Sequence, residues 1–166
     1  MSHEGRETRP TEAYFTESRP KPCSQGDLYL RVPFTLPATA VDSPPTIVPR
    51  DVMILTRSCD IDYGNGLVHL APLDFFEEAV KTGDRTDIRK YDCFHDVMYL
   101  PAERGMPERL ANLAAAQLVA LEIVRKCTVQ ARLSYTATQQ LQRKLTLHWT
   151  GLHISRAEFQ PPKDDF

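Results

Sequence analysis

The chain has 166 residues, 42% of them apolar and 25% charged, with 20 basic and 22 acidic side chains for a formal charge of −2. One domain's length at that balance excludes a collagen-like chain, a wholly disordered one and a strongly basic nucleic-acid binder of the histone kind. No apolar run reaches the roughly 18–20 residues of a membrane-spanning helix. The N-terminal stretch MSHEGRETRPTEAYF lacks the apolar core of a secretory signal, so a cytoplasmic protein with no membrane partner is expected.

Charge and proline are both unevenly spread. Residues 51–103 carry five bases against 11 acids, a balance of −6, while residues 104–166 carry nine against five, a balance of +4. Two solvated faces of opposite sign follow, each able to steer a charged partner over about 8–10 Å at ordinary salt. Eight of the 13 prolines lie between Pro10 and Pro49 and none between residues 108 and 160. Long regular elements are therefore expected only toward the C-terminus. Residues 1–22 are predicted as a flexible leader with Tyr14-Phe15 as a docking point, 23–156 as a single domain and 157–166 as a short tail.

In chain order, Leu28, Leu30, Val32 and Phe34 alternate with Tyr29, Arg31 and Pro33 after Gly26-Asp27, which predicts a half-buried strand. Residues 36–50 hold four prolines and predict a loop. The continuous apolar run at 52–56 suits a strand covered on both faces. Asn65-Gly66 favours a hairpin turn, giving a central hairpin of 52–57 with 67–71. In the return strand Val68, Leu70 and Pro72 face one side and Leu67, His69, Ala71 and Leu73 the other. Residues 74–92 predict one helical turn capped by Asp74, and 93–101 another strand. The stretch 108–126 is expected to be helical or irregular at first and a strand from about Leu118. Thr136 and Gln139 form a capping box ahead of Leu141, Leu145, Trp149 and Leu152, the stripe of an amphipathic helix closing at Gly151.

These elements describe an α+β, mostly β fold: a small barrel with a C-terminal amphipathic helix. Their order resembles the PemK/MazF toxin superfamily, whose fold is an SH3-like barrel. Gly26-Asp27 ahead of the first strand, Arg50 ahead of VMILT, Ala71-Pro72-Leu73 and Arg132-Leu133-Ser134 before the final helix carry the resemblance over about residues 26–150. It implies a bacterial or phage protein that cleaves RNA without a metal or other cofactor, forms a homodimer and binds an antitoxin peptide. Arg50 matches the family's catalytic arginine. The Thr or Ser that follows Ala-Pro-Leu in the family is replaced by Asp74, a carboxylate that serves as a base but repels a phosphodiester.

The candidate catalytic set is thus Arg50, Asp74, Thr56 and Arg57, because phosphoryl transfer needs a cation for the developing charge and groups that move protons. Ser58, His69 and Arg132 are candidate substrate-binding residues. For Arg50 the plain alternative is a solvated loop arginine, and for His69 a sheet-surface histidine. Cys59, Asp60, Cys93 and His95 form an alternative metal set of mixed thiolate, imidazole and carboxylate donors, although no C-x-x-C pair is present. The competing assignment for SCDID is buried structural thiols plus an Asx turn leading into the hairpin. Arg125, Lys126, Arg132, Arg143 and Lys144 offer a phosphate track. Two functions remain open: an endoribonuclease toxin, or a non-catalytic barrel module that binds a protein or nucleic acid in phage–host conflict or regulation.

Overall fold

The computed structural model describes residues 13–17, 23–38, 40–91, 94 and 96–150. Among these, eight strands form one antiparallel sheet: β1 (Phe15–Thr16), β2 (Asp27–Leu36), β3 (Thr46–Ile54), β4 (Leu67–Phe75), β5 (Val97–Leu100), β6 (Arg109–Asn112), β7 (Gln117–Ala120) and β8 (Thr128–Leu133). The order is β1-β8-β2-β3-β4-β6-β5, and β7 also pairs with β4. The five helices are α1 (Ser58–Tyr63), α2 (Phe76–Ala79), α3 (Arg85–Tyr91), α4 (Leu121–Arg125) and α5 (Tyr135–Thr150). The α+β, mostly β expectation holds, but the sheet is not closed into a barrel. A side-chain clip crosses part of the gap: Thr35 N–H donates to Gln117 Oε1 at 3.3 Å and Gln117 Nε2 donates back to Thr35 O.

Apolar patterning places a core on each face of the sheet. Val52 and Ile54 of β3 join Val32, Phe34, Val68, Leu70 and Leu121 on one side. Met53 and Leu55 join Leu28, Ala71, Leu73 and Leu133 on the other, beneath Leu141 and Leu145 of α5. The expected two-sided burial of the 52–56 run is therefore present, and alternation along the strand explains it.

Strand β2 departs from simple alternation. Its register with β3 shifts between Tyr29 and Val32, where Arg31 has φ of 53°. That extra residue is a bulge, and it reverses the phase of the strand. Leu28 consequently faces one core while Tyr29, Val32 and Phe34 face the other.

Other expectations need correction. Residues 46–50 are strand, not loop. Pro33 lies opposite Pro49, and since neither can donate, the two occupy a non-hydrogen-bonded pair where the ladder loses nothing. The central hairpin pairs Val52–Ile54 with Pro72–Leu70, and Leu55 N–H donates to His69 O. Its connection, however, contains α1, so Asn65-Gly66 ends a longer excursion instead of forming a two-residue turn. Residues 76–91 hold two helices with a 3-10 turn between them. They are anchored by Phe76, Val80 and Ile88 on Leu110.

In the 108–126 stretch the strand expected from about Leu118 is present at Gln117–Ala120, but a further strand precedes it at Arg109–Asn112 and a helix follows at Leu121–Arg125. β6 and β7 lie antiparallel to β4 at Leu73–Phe75 and Leu67–Leu70, separated by a 3-10 turn at Leu113–Ala115. Ile123 and Val124 are helical because Leu121 and Val124, three residues apart on α4, both enter the core. Within the expected leader, Phe15 and Thr16 pair with Leu133 and Arg132, and Phe15 is buried. Tyr14 O–H donates to Tyr99 O at 3.0 Å. The strand before Pro101 is confined to Val97–Leu100.

Helix α5 starts one residue before the expected cap. Ser134 Oγ accepts from Ala137 N at 3.3 Å, so Ser134, not Thr136, serves as the N-cap. Leu141 and Leu145 are buried as expected and Trp149 is 61% exposed. Gly151, Leu152 and the expected tail lie outside the described residues.

One ionic contact ties the start of β2 to the end of β8. Asp27 at the start of β2 and Arg132 at the end of β8 are both buried. Arg132 Nη2 donates to Asp27 Oδ2 at 2.8 Å, and Arg132 Nε donates to Oδ1. The hydrogen bond to Asp27 raises the arginine's pKa further above its ordinary value. Removing one partner strands the other charge in the interior, which costs about 3–5 kcal/mol. Asp27→Ala should therefore lose about that much in urea unfolding, and Asp27→Leu combined with Arg132→Met should recover most of it. A single variant within about 1 kcal/mol of wild type would contradict this role.

Candidate functional site

The last β3–β4 ladder pair toward the end of β4 is Val52↔Pro72. Beyond it Leu73, Asp74 and Phe75 pair with β6 on the other edge of β4. Pro49 and Pro72 flank the divergence and supply no N–H to bridge it. A cleft of about 470 Å³ opens at this fork, lined by Arg50, Asp51, Asp74, Phe75, Glu78 and Arg109 among others. That volume suits a ligand the size of one or two small rings with a charged group.

Arg50 Nη2 stands 3.5 Å from Asp74 Oδ1, with the two side chains 42% and 28% exposed. Arg50 Nε is buried without a hydrogen-bond partner among the described residues, a state that buried polar atoms seldom keep. Behind this pair lies a second one. Asp51 Oδ1 accepts from Arg31 N at 3.1 Å, satisfying the bulge backbone, while Arg109 Nη2 donates to Asp51 Oδ2 at 3.2 Å. The Arg109 guanidinium carbon also sits 3.6 Å from the centroid of the Phe75 ring, a cation–π stack. One carboxylate thus links the β2 bulge, β3 and β6 beneath the cleft.

A clamp steadies the elements beside the cleft. Arg89 of α3 donates from Nε and Nη2 to the two oxygens of Glu108, each at 2.7 Å. Tyr99 O–H donates to Glu108 Oε1 at 2.5 Å. Hydrogen bonds from Arg89 hold the Glu108 carboxyl below its ordinary range. Burial, with the Glu108 hydrogen bond, pushes the Tyr99 phenol up to about 12.

The structure divides the expected site residues. Arg50 and Asp74 are brought together in the cleft. Thr56 lies six residues along extended chain from Arg50, about 20 Å, and its Oγ1 accepts from His69 N at 2.8 Å. The His69 ring lies 6.0 Å from that of Trp149. Arg57 pairs with Asp60 at 2.9 Å, and Ser58 Oγ accepts from Gln25 N at 3.2 Å. None of these four lines the cleft. Arg132 is committed to Asp27, and Lys144 is buried with Nζ donating to the carbonyls of Phe94 and Val97. A phosphate track running through Arg132 and Lys144 is therefore not available.

SCDID forms helix α1, and the Asx turn leading into the hairpin lies at Asn65, whose Oδ1 accepts from Leu67 N at 3.2 Å. Cys59 is exposed, Asp60 is held by Arg57, and Cys93 and His95 lie outside the described residues. No cluster of three or more metal-capable side chains occurs among the described residues.

Sequence reasoning missed Asp51, Phe75, Glu78 and Arg109. Asp51 adjoins Arg50 and Phe75 adjoins Asp74, so proximity to the two recognised residues was the only available signal. Nothing in the sequence links Arg109 to Asp51 across 58 positions. No family model matches the chain, and no curated protein matches it.

The Glu108 clamp carries a pH signature. Its folded pKa lies below the ordinary 4.5, so its stabilisation is present above that value and is lost as pH falls through the folded pKa. Glu108→Gln should lower the melting temperature at neutral pH, with the gap to wild type closing below pH 4.5. A gap that stays constant on acidification would remove the charge-dependent clamp.

Proposed function

We infer that the cleft is an RNA-cleaving centre of the PemK/MazF toxin type in a chain with an SH3-like barrel ancestry. The observation that carries this reading is the Arg50–Asp74 pair on an open cleft, with Arg109 as a second fixed cation. Asp74 takes the proton of a ribose 2′-hydroxyl, and the freed oxygen attacks the adjacent phosphorus. Arg50 and Arg109 stabilise the charge that grows on the phosphoryl oxygens. The P–O5′ bond then breaks to leave a 2′,3′-cyclic phosphate, and the departing 5′-oxygen takes a proton from water. A homodimer, an antitoxin-type peptide partner and a cytoplasmic setting in a bacterium or phage belong to the same reading.

A second reading has its own support. Asp51, Asp74 and Glu78 set three carboxylates against the two guanidiniums of the cleft. That excess of negative charge favours a non-catalytic module that grips a basic protein segment.

One assay tests both. Purified protein and a mixed-sequence fluorogenic RNA, incubated in EDTA, should give cyclic-phosphate ends. Arg50→Lys should lower the rate by about 10²–10³-fold, and Asp74→Asn by about 10²–10⁴-fold. Absence of cleavage by wild type, together with binding of a basic peptide that Asp74→Asn abolishes, overturns the nuclease in favour of the module.

A further inference from the structure

The exposed aromatic residue of the cleft has a geometry that the cleavage chemistry does not use. Phe75 and Phe76 are neighbours at the end of β4, yet Phe76 is fully buried and packs edge-on against Tyr99 at 5.2 Å. Phe75 turns outward, lines the cleft beside Asp74 and remains 46% exposed. Arg109 covers one face of its ring, and Asp51 holds that guanidinium in place. The exposed area is therefore the opposite face and the edge of a ring whose orientation is already fixed. A rigid aromatic surface next to two cations matches a ligand that joins a flat ring to a phosphate. An isolated exposed phenylalanine would need no such explanation, but this one is stacked, braced and adjacent to the reacting pair.

We propose that the free face of Phe75 is a nucleobase subsite that stacks one unpaired base of an RNA strand beside the phosphodiester held at Arg50. This rests on the reading of the cleft as a strand-cleaving site and adds to it the side chain that holds one base of the strand. In a duplex each base is stacked between its neighbours and offers no open face, whereas a single strand splays its bases onto aromatic side chains. Stacking on an aromatic surface tolerates every base, because each has a π-face. Sequence preference at this position is consequently weak. The arrangement also assigns Arg109 a second role, since its position beneath the ring makes it the support that keeps the stacking surface oriented.

The test uses the whole chain and a short 2′-O-methyl RNA, which cannot be cut, read by fluorescence anisotropy. Phe75→Leu keeps an apolar side chain but removes the π-face, and Phe75→Trp keeps the face. Loss of one base–aromatic stack weakens binding by about 5- to 150-fold (roughly 1–3 kcal/mol at 1.4 kcal/mol per tenfold). Phe75→Leu should show that loss and Phe75→Trp should bind as wild type, with unchanged melting temperatures for both. An abasic site moved along the strand should weaken wild type at one position and leave Phe75→Leu unaffected there, a signature that a merely structural role for Phe75 does not produce. Equal binding by wild type and Phe75→Leu overturns the stacking subsite while cleavage of ordinary RNA leaves the earlier reading standing. Wild type that neither binds nor cuts the strand overturns both.

Discussion

The buried Asp27–Arg132 ion pair is the contact on which the rest of the architecture depends. It joins the first residue of β2 to the penultimate residue of β8, 105 positions apart. Around it the backbone is equally constrained. Gly26 has φ of 82°, and a side chain there would meet Leu133 at 3.0 Å, so only glycine allows the two strands to approach this closely. Gly26 N–H donates to Ile54 O, Leu133 N–H donates to Gly26 O, and Ser134 N–H donates to Tyr14 O. The same few residues therefore align β2 with β3, seat β8 and β1, and set the cap from which α5 crosses the core.

Fixing β2 in this way fixes the cleft. The bulge that reverses the phase of β2 brings the Arg31 backbone amide to Asp51, and Asp51 then turns to Arg109 on β6. A neutral side chain at position 51 would satisfy the bulge but leave Arg109 without its partner. The cleft is thus a place where strand divergence, a bulge and charge pairing coincide. Its groups are held by the sheet, and rigid support of this kind is what a site needs for reproducible geometry. The acidic balance of residues 51–103 reaches the cleft only in part, because two arginines offset most of its carboxylates.

How much of this could be read in the sequence varied with the range of the interactions. Short-range patterns were reliable. The VMIL run lies between two cores, and the α5 stripe buries Leu141 and Leu145. Failures came where a distant partner overrode a local preference. The phase of β2 depends on a carboxylate 20 residues away. Ile123 and Val124, β-formers by propensity, are helical because Leu121 and Val124 fill a core built by other strands. Arg132 resembled a phosphate ligand until its burial with Asp27 was visible. Arg50 and Asp74 were legible as a pair of chemical types, while their meeting at 3.5 Å required the pairing of β3 with β4. Phe75 could not be told from Phe76, since strand β4 gives way to helix α2 between them and the sequence does not say which ring is inside.

The central claim is that the fork between β3 and β4 binds a phosphodiester through Arg50 and Arg109. Side-chain guanidinium resonances observed by NMR during titration with a non-cleavable dinucleotide test it most directly. The Arg50 Nε–H signal, from a donor with no partner among the described residues, should shift, and the Arg109 signal should move with it while that of buried Arg132 stays still. Saturable binding that leaves both cleft arginines unshifted would contradict the claim.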